Sequence, residues 1–297
     1  MQLQQASRKR ARIKMALQGP SGSGKTMSAL LAAFGLCNDW NKIAVIDAEN
    51  HSAELYSHLG QYNVVNIGAP YNPEKYITAI NLCEQGGMDV IIIDSISHEW
   101  EGSGGIIDMH SNMTGNSFTN WGKLTPRHNA FIQAILQSAC HIIGTIRSKQ
   151  DYVLNEKNGK MIPEKVGLKG VTRDGMDYEF TLVFDVDIKH NVTASKDRTG
   201  LFNDKPEFRI TVDTGRMIAD WCNSGSPVPK QISNINDRIN ACMSIKDLLD
   251  LYKLQPGIVQ EEYASAFTSR RAQLSQPVSS LPKPTGNGQH PNITTGK

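Results

Sequence analysis

Gly19-Pro20-Ser21-Gly22-Ser23-Gly24-Lys25-Thr26 fits the pattern G-x-x-x-x-G-K-[ST]. Glycines let successive backbone N–H groups turn toward one centre and cradle phosphate oxygens. At this spacing the lysine is placed for the β- and γ-phosphates of a nucleotide, and the Thr26 hydroxyl for Mg²⁺. The pattern has meaning only with a strand before it and a helix after it, so that the helix dipole faces the anion. Both are predicted. Ile13 to Gln18 is a short apolar run, and Lys25 to Leu36 sets Met27, Leu30, Leu31 and Phe34 at helical spacing. A dinucleotide loop would want G-x-G-x-x-G, and Met27 takes the place of its third glycine. Gly19 to Thr26 are therefore the candidate nucleotide ligands, with ATP and Mg²⁺ as the expected cofactors.

Outward from the loop, strands and helices alternate. Strands are predicted at Lys42 to Ile46, Val64 to Ile67, Val90 to Ile93 and His141 to Ile146. Helices are predicted at Ser52 to Leu59, Pro73 to Glu84 and Pro126 to Ala139. Val90 to Ile93 is apolar on both faces, as a strand in the middle of a parallel sheet must be. The result is an α/β fold with a mostly parallel central sheet and ligands at the strand C-termini. Asn158-Gly159 between two extended runs predicts a hairpin. Phe180 to Ile188 and Phe208 to Val212 read as later strands, with a polar segment from Lys189 to Asp204 between them, and Thr214 to Asn223 reads as a helix. Residues 1–223 form the expected ATPase core. Residues 224–231 are a Pro/Gly-containing linker, 232–274 a helical pair, and 275–297 a tail rich in Pro, Gly, Ser and Thr without acidic residues, which is expected to be disordered.

Asp94 ends the most apolar strand and is the natural second carboxylate for Mg²⁺. A hydrolase also needs a base to orient water. Glu49, just past Ile46-Asp47, and Glu99, about one turn beyond Asp94, compete for that role. Glu49 is favoured here as a strand-end residue next to the phosphate-loop strand.

The bulk properties set the remaining bounds. The chain has 297 residues and a formal net charge of +2, so no global field draws it to a polyanion. Arg8, Lys9, Arg10, Arg12 and Lys14 form a local basic arm. Five scattered cysteines without C-x-x-C argue against a disulfide framework or zinc site and for a reducing cytoplasm. No apolar run suits a signal peptide or a membrane span.

Ile46-Asp-Ala-Glu49-Asn and Val90-Ile-Ile-Ile-Asp94-Ser, spaced as they are from the loop, resemble the core of RecA-type recombination ATPases over about Ile13 to Val212. The resemblance implies a RecA-like P-loop NTPase core in which Glu49 is the catalytic base. It implies a polar sensor at Thr145, where the family carries glutamine, with Arg147 two residues on. It also implies that Lys196 and Arg198, two cations at i, i+2, reach the γ-phosphate of a neighbouring subunit. More narrowly, Asp94-Ser-Ile-Ser-His-Glu-Trp100, Thr145-Ile-Arg147-Ser-Lys149, Thr172-Arg-Asp-Gly-Met-Asp177 and Lys196-Asp-Arg-Thr-Gly200 resemble RecA-like ATPases of bacteriophage genomes. Some of those anneal single strands with the help of a single-strand-binding protein. A cytoplasmic homo-oligomer, ring or filament, on single-stranded DNA follows as the expectation, in the host cytoplasm if the chain is phage-encoded, with no membrane partner.

Two segments are candidates for the DNA contact. One is Ser111 to Arg127, with Asn112, Asn116, Asn120, Trp121, Lys123 and Arg127. The other is Lys149 to Arg173, with Tyr152, Lys157, Lys160, Lys165, Lys169 and Arg173. Cations beside aromatics suit phosphate contact and base stacking. A helicase loader or other nucleotide-gated assembly factor is the alternative reading. A small-molecule kinase is the third, and it lacks an evident arginine-rich lid. The long C-terminal domain of RecA has no counterpart, which speaks against full strand exchange.

Overall fold

The computed structural model describes residues 10–157, 160–225, 235–253 and 263–275. Arg8 and Lys9, the turn pair Asn158-Gly159, the linker from 226 onward and the tail from 276 lie outside the described residues. The chain divides into two compact units, Met1–Pro227 and Val228–Lys297.

The first unit is built on β1 (Lys14–Gly19), β2 (Ile43–Asp47), β3 (Asn63–Asn66), β4 (Val90–Asp94), β5 (His141–Lys157), β6 (Lys160–Gly170), β7 (Leu182–Val186) and β8 (Val192–Asp197). They form one sheet in the order β3-β2-β4-β5-β1-β7-β8, and β6 pairs with β5 off that path. Pairing is parallel from β3 to β7 and antiparallel for β8 and for β6. β1, the strand that feeds the glycine loop, sits between β5 and β7.

Period-two alternation sorts each strand's side chains onto two cores. Met15, Leu17, Val45, Ile92, Ile143 and Phe184 face one side, where Leu30 and Ala33 of α1 (Lys25–Cys37) and Ile218 of α6 (Val212–Asn223) cover them. Ala16, Ile46, Ile91, Ile93 and Ile142 face the other, under Tyr76 and Ile80 of α2 (Pro73–Gln85) and Phe131 and Ile135 of α5 (Ser117–Gln137). Two short helices, α3 (Ser97–Glu101) and α4 (Ile106–Ser111), connect β4 to α5. Because both faces are covered, β4 is apolar from Val90 to Ile93, as its sequence anticipates.

Several local readings change. β2 is not next to β1, because β4 and β5 stand between them. The argument for Glu49 from strand adjacency therefore fails, although its strand still ends at the same edge of the sheet. Physically, α1 packs over β4 and β5, so the crossover that leaves β1 lands beyond both. Helix α5 starts at Ser117 and not at Pro126. The Asn116 side chain accepts from Phe118 N and Thr119 N and caps the helix, while Pro126 is tolerated inside, above Gly122. Burial of Leu124, Phe131 and Ile135 on one face outweighs the lost hydrogen bond. Ser52–Leu59 is a 3₁₀ segment. β8 lies inside the stretch read as polar, since an edge strand needs only Val192 buried. Phe208 makes a single bridge to Val192 in place of a strand, and Val212 already belongs to α6.

In the second unit the expected helical pair becomes three segments among the described residues, α7 (Ile235–Ala241), α8 (Ile245–Lys253) and α9 (Ala264–Ser275). The first expected helix breaks because the Ser244 hydroxyl accepts from Asp247 N and caps a new one. Ile239, Leu248, Leu251 and Phe267 form the small core. Among the described residues no helix is long and apolar enough to cross a membrane.

Candidate active site

Gly19 ends β1 with no room for a side chain. A Cβ there would lie 2.4 Å from the Val186 carbonyl oxygen. Gly22 and Gly24 take φ of 78° and 85°, a region that costs L-residues strain, and Gly24 caps α1. The loop thus curls over the N-terminus of a 13-residue helix, whose dipole favours an anion at that end. Lys25 Nζ donates to the carbonyls of Gly19 at 2.9 Å and Pro20 at 2.8 Å. Burial lowers the Lys25 pKa, and the carboxylates of Asp94 and Glu49 oppose that shift.

Asp94 is 3% exposed at the end of β4. Its Oδ2 accepts from the Thr26 hydroxyl at 2.7 Å, and its Oδ1 accepts from the Thr145 hydroxyl. Burial raises its pKa, and the two hydroxyls oppose this by bonding the charged form. Thr26 and Asp94 present adjacent hard oxygens of the kind Mg²⁺ prefers. No group of three or more metal-binding side chains occurs among the described residues. Such a pair suits an ion that takes its remaining ligands from nucleotide phosphates and water. Thr145, fully buried, does not line the cleft. Its hydroxyl orients Asp94, and the β5 residue that does line the cleft is Arg147.

Glu49 is brought to the same cleft by Asp47. The Asp47 carboxylate accepts from Glu49 N at 2.6 Å and from Ala53 N at 2.8 Å, which pins the turn after β2. The Glu49 carboxylate takes both arms of the Arg147 guanidinium, with Nε on Oε1 at 2.8 Å and Nη2 on Oε2. His98 Nδ1 stands 3.8 Å away. Burial alone would raise the Glu49 pKa, but the hydrogen bonds and charge of Arg147 prevail and hold it below the usual carboxylate range. Glu99 goes the other way. It is fully buried, and both its oxygens lie 3.1 Å from His128 Nδ1 on α5. The structure thus separates the two competing carboxylates, one in the cleft and one in the helical layer behind it.

The cleft has a volume of about 750 Å³. Its lining includes Lys25, Thr26, Glu49, Asp94 and Arg147, and on the side of the β7–β8 loop His190, Arg209 and Ile210. His190, at φ 70°, sets Nδ1 2.9 Å from the Ser23 carbonyl oxygen and braces the loop from outside. No motif in the sequence marks His190 or Arg209, because only the fold of β7 onto β1 brings them there.

Lys196 and Arg198 are not in the cleft. Lys196 pairs in register with Val183, which pairs with Ala16, so it lies about 10 Å down the sheet from Gly19 at ~3.3 Å per residue. Its Nζ donates to the Asp177 carbonyl at 3.0 Å and to that of Tyr178, and Arg198 Nη2 donates to the Tyr178 carbonyl at 3.2 Å.

The DNA candidates also separate. Asn120 is buried and donates to the Met113 and Thr114 carbonyls, and Arg127 forks onto Glu74. Trp121 stacks between His110 at 4.2 Å and Trp100 at 5.9 Å, beside an exposed Phe118 and an exposed Lys123. Lys149 pairs with Glu101 and Lys169 with Asp174. The side chains of Tyr152, Lys157, Lys160 and Lys165 lie outside the described residues.

A family model described as an AAA domain matches residues 11–209. The match runs from just before β1 to just before α6 and takes in every cleft residue named above except Ile210. No curated protein matches the chain.

Proposed function

The chain belongs to the AAA domain family of P-loop NTPases, and we propose that this nucleotide-binding ATPase domain works as an oligomer on single-stranded DNA, promoting annealing or strand pairing in recombination. In this reading the loop from Gly19 to Thr26 binds the phosphates and Lys25 neutralises the β- and γ-oxygens. Thr26 and Asp94 hold Mg²⁺, which when bound would offset charge that develops on the transferring phosphoryl group. Glu49 orients the attacking water. Thr145 keeps Asp94 in place.

The observation that carries the proposal is the position of the cation pair. The cleft is furnished on one side with a loop, a lysine and two carboxylates, while Lys196 and Arg198 lie toward the other end of the same sheet. Those two cations suit the cleft of a second copy stacked head to tail, where they would neutralise transition-state charge. The aromatic column of His110, Trp121 and Trp100, with Phe118 exposed beside it, suits base stacking. The resemblance to RecA-type recombinases points to the same partner.

ATP turnover with and without single-stranded DNA tests this, together with retention of the protein on immobilised oligonucleotide at modest salt. Stimulation and retention are expected. Turnover that ignores DNA, with no retention, would remove the DNA reading and leave an ATPase of the nucleotide-gated assembly kind.

A further inference from the structure

We propose that Arg147 is a two-position latch, which holds Glu49 while no triphosphate is bound and passes to the γ-phosphate when one arrives, freeing the carboxylate to orient water. The proposal rests on the reading of the cleft as an ATP site with Glu49 as its base.

The geometry distinguishes a fixed partner from a movable one. Glu49 is fixed. Its own N–H is bonded to Asp47, and its carboxylate lies 3.8 Å from His98 Nδ1, a ring nitrogen that the Ser95 hydroxyl meets at 3.0 Å. Its side chain is 23% exposed. Apart from the fork on Glu49, the hydrogen bonds of Arg147 among the described residues are made by its backbone. Arg147 N donates to Ser97 Oγ at 2.9 Å, its carbonyl accepts from Val171 N at 2.6 Å, and it pairs in register with Gly19, the first residue of the phosphate loop. Its side chain is 44% exposed and opens on the cleft that Lys25 also lines. A long side chain tied at its root beside the phosphate loop, with its head in the cleft, needs only rotamer changes to exchange partners.

The chemistry gives the exchange a direction. A carboxylate held in a guanidinium fork is a weaker base toward water, because the cation and its two hydrogen bonds stabilise the charged form. A terminal phosphate carries more charge than a carboxylate and accepts the same fork, so it competes for the arginine. ADP has no group at that place and leaves the latch on Glu49. The base is thereby withheld until the substrate that needs it is bound.

The test is the affinity of the full chain for a non-hydrolysable ATP analogue and for ADP, with single-turnover hydrolysis, in wild type, Arg147→Gln and Arg147→Lys. Arg147→Gln is expected to weaken the ATP analogue by about tenfold, the loss of one charge-assisted contact, and to leave ADP binding within about twofold. The retained ADP affinity doubles as the check of folding. Arg147→Lys keeps a cation for phosphate but cannot form the fork on Glu49, and is expected to recover part of the ATP preference that Arg147→Gln loses. The latch is overturned if Arg147→Gln leaves the ratio of the two affinities unchanged. It is overturned equally if Arg147→Lys loses hydrolysis while binding ATP normally, because the arginine then serves Glu49 alone. If wild type binds neither nucleotide and Lys25→Ala changes nothing, the reading of the cleft falls, and the latch with it.

Discussion

The Thr26 hydroxyl donates to Asp94 Oδ2 at 2.7 Å and joins the first turn of α1 to the end of β4 across 68 positions of sequence. This contact closes the phosphate side of the cleft. Among the described residues Lys25 next to it hydrogen-bonds the carbonyls of Gly19 and Pro20, which leaves its charge for a phosphate. Lys25→Ala should weaken ATP binding by about 100-fold, the scale of losing a charge-assisted contact to a multiply charged anion. Equilibrium binding of a fluorescent ATP analogue checks this, and normal affinity would refute the assignment of the loop.

The two carboxylates should part in mutants as they do in space. Glu49→Gln should still bind ATP while single-turnover cleavage falls by about 10²–10⁴-fold, the range for loss of a general base. Glu99→Gln should leave cleavage per folded molecule near normal and lower stability by about 1–3 kcal/mol, since it disturbs a buried partner of His128. Cleavage lost with Glu99→Gln and kept with Glu49→Gln would reverse the roles.

Subunit mixing reads out the cation pair. Lys196→Ala protein and Glu49→Gln protein should each be inactive alone. Mixed, they should regain part of the turnover, because some clefts then combine an intact Glu49 with an intact Lys196 from the neighbour. A mixture as silent as its components would count against action in trans.

His141 makes stability depend on acid. Its Nδ1 accepts from Ile13 N at 3.0 Å, so the ring must stay neutral with its proton on Nε2. Burial, with Arg12 and Lys14 adding to it, lowers its pKa from 6.5 to about 3. Between those values the unfolded chain binds a proton that the folded chain does not, so stability falls as pH drops below 6.5 toward 3. The slope is at most about 1.4 kcal/mol per pH unit for one group. Urea denaturation at pH 7 and pH 5 should show that loss, and His141→Asn, which keeps an acceptor for Ile13, should reduce it. Equal slopes for both proteins would show that His141 is not the titrating group.

Gly35 tests the packing of α1 on α6. Alanine there would gain up to about 1 kcal/mol of helix propensity in isolation. In the fold its Cβ would lie 2.1 Å from the Val212 carbonyl oxygen, where α1 crosses α6. The clash should prevail and Gly35→Ala should lower stability by about 1–3 kcal/mol, measured by thermal or urea unfolding. A stabilised variant would mean that α6 is free to move away.

Taken alone, the sequence determined what depends on neighbours along the chain. The loop from Gly19 to Thr26, the buried run from Val90 to Ile93 with Asp94 after it, and the alternation of strand and helix are local patterns, because backbone geometry and side-chain period are local. Helix breaks and starts were legible only in part, since the caps at Asn116 and Ser244 compete with apolar periodicity over energies of about 1 kcal/mol. The tertiary structure decided everything that depends on strand order. It set β4 and β5 between β1 and β2, turned Glu99 inward to His128 and Glu49 outward to Arg147, and moved Thr145 from the cleft to the back of Asp94. It carried Lys196 and Arg198 away from the cleft and brought His190 up to the phosphate loop. Those outcomes follow from which crossover passes over which strand, a choice made by burying both faces of the sheet at once and written in no single stretch of residues.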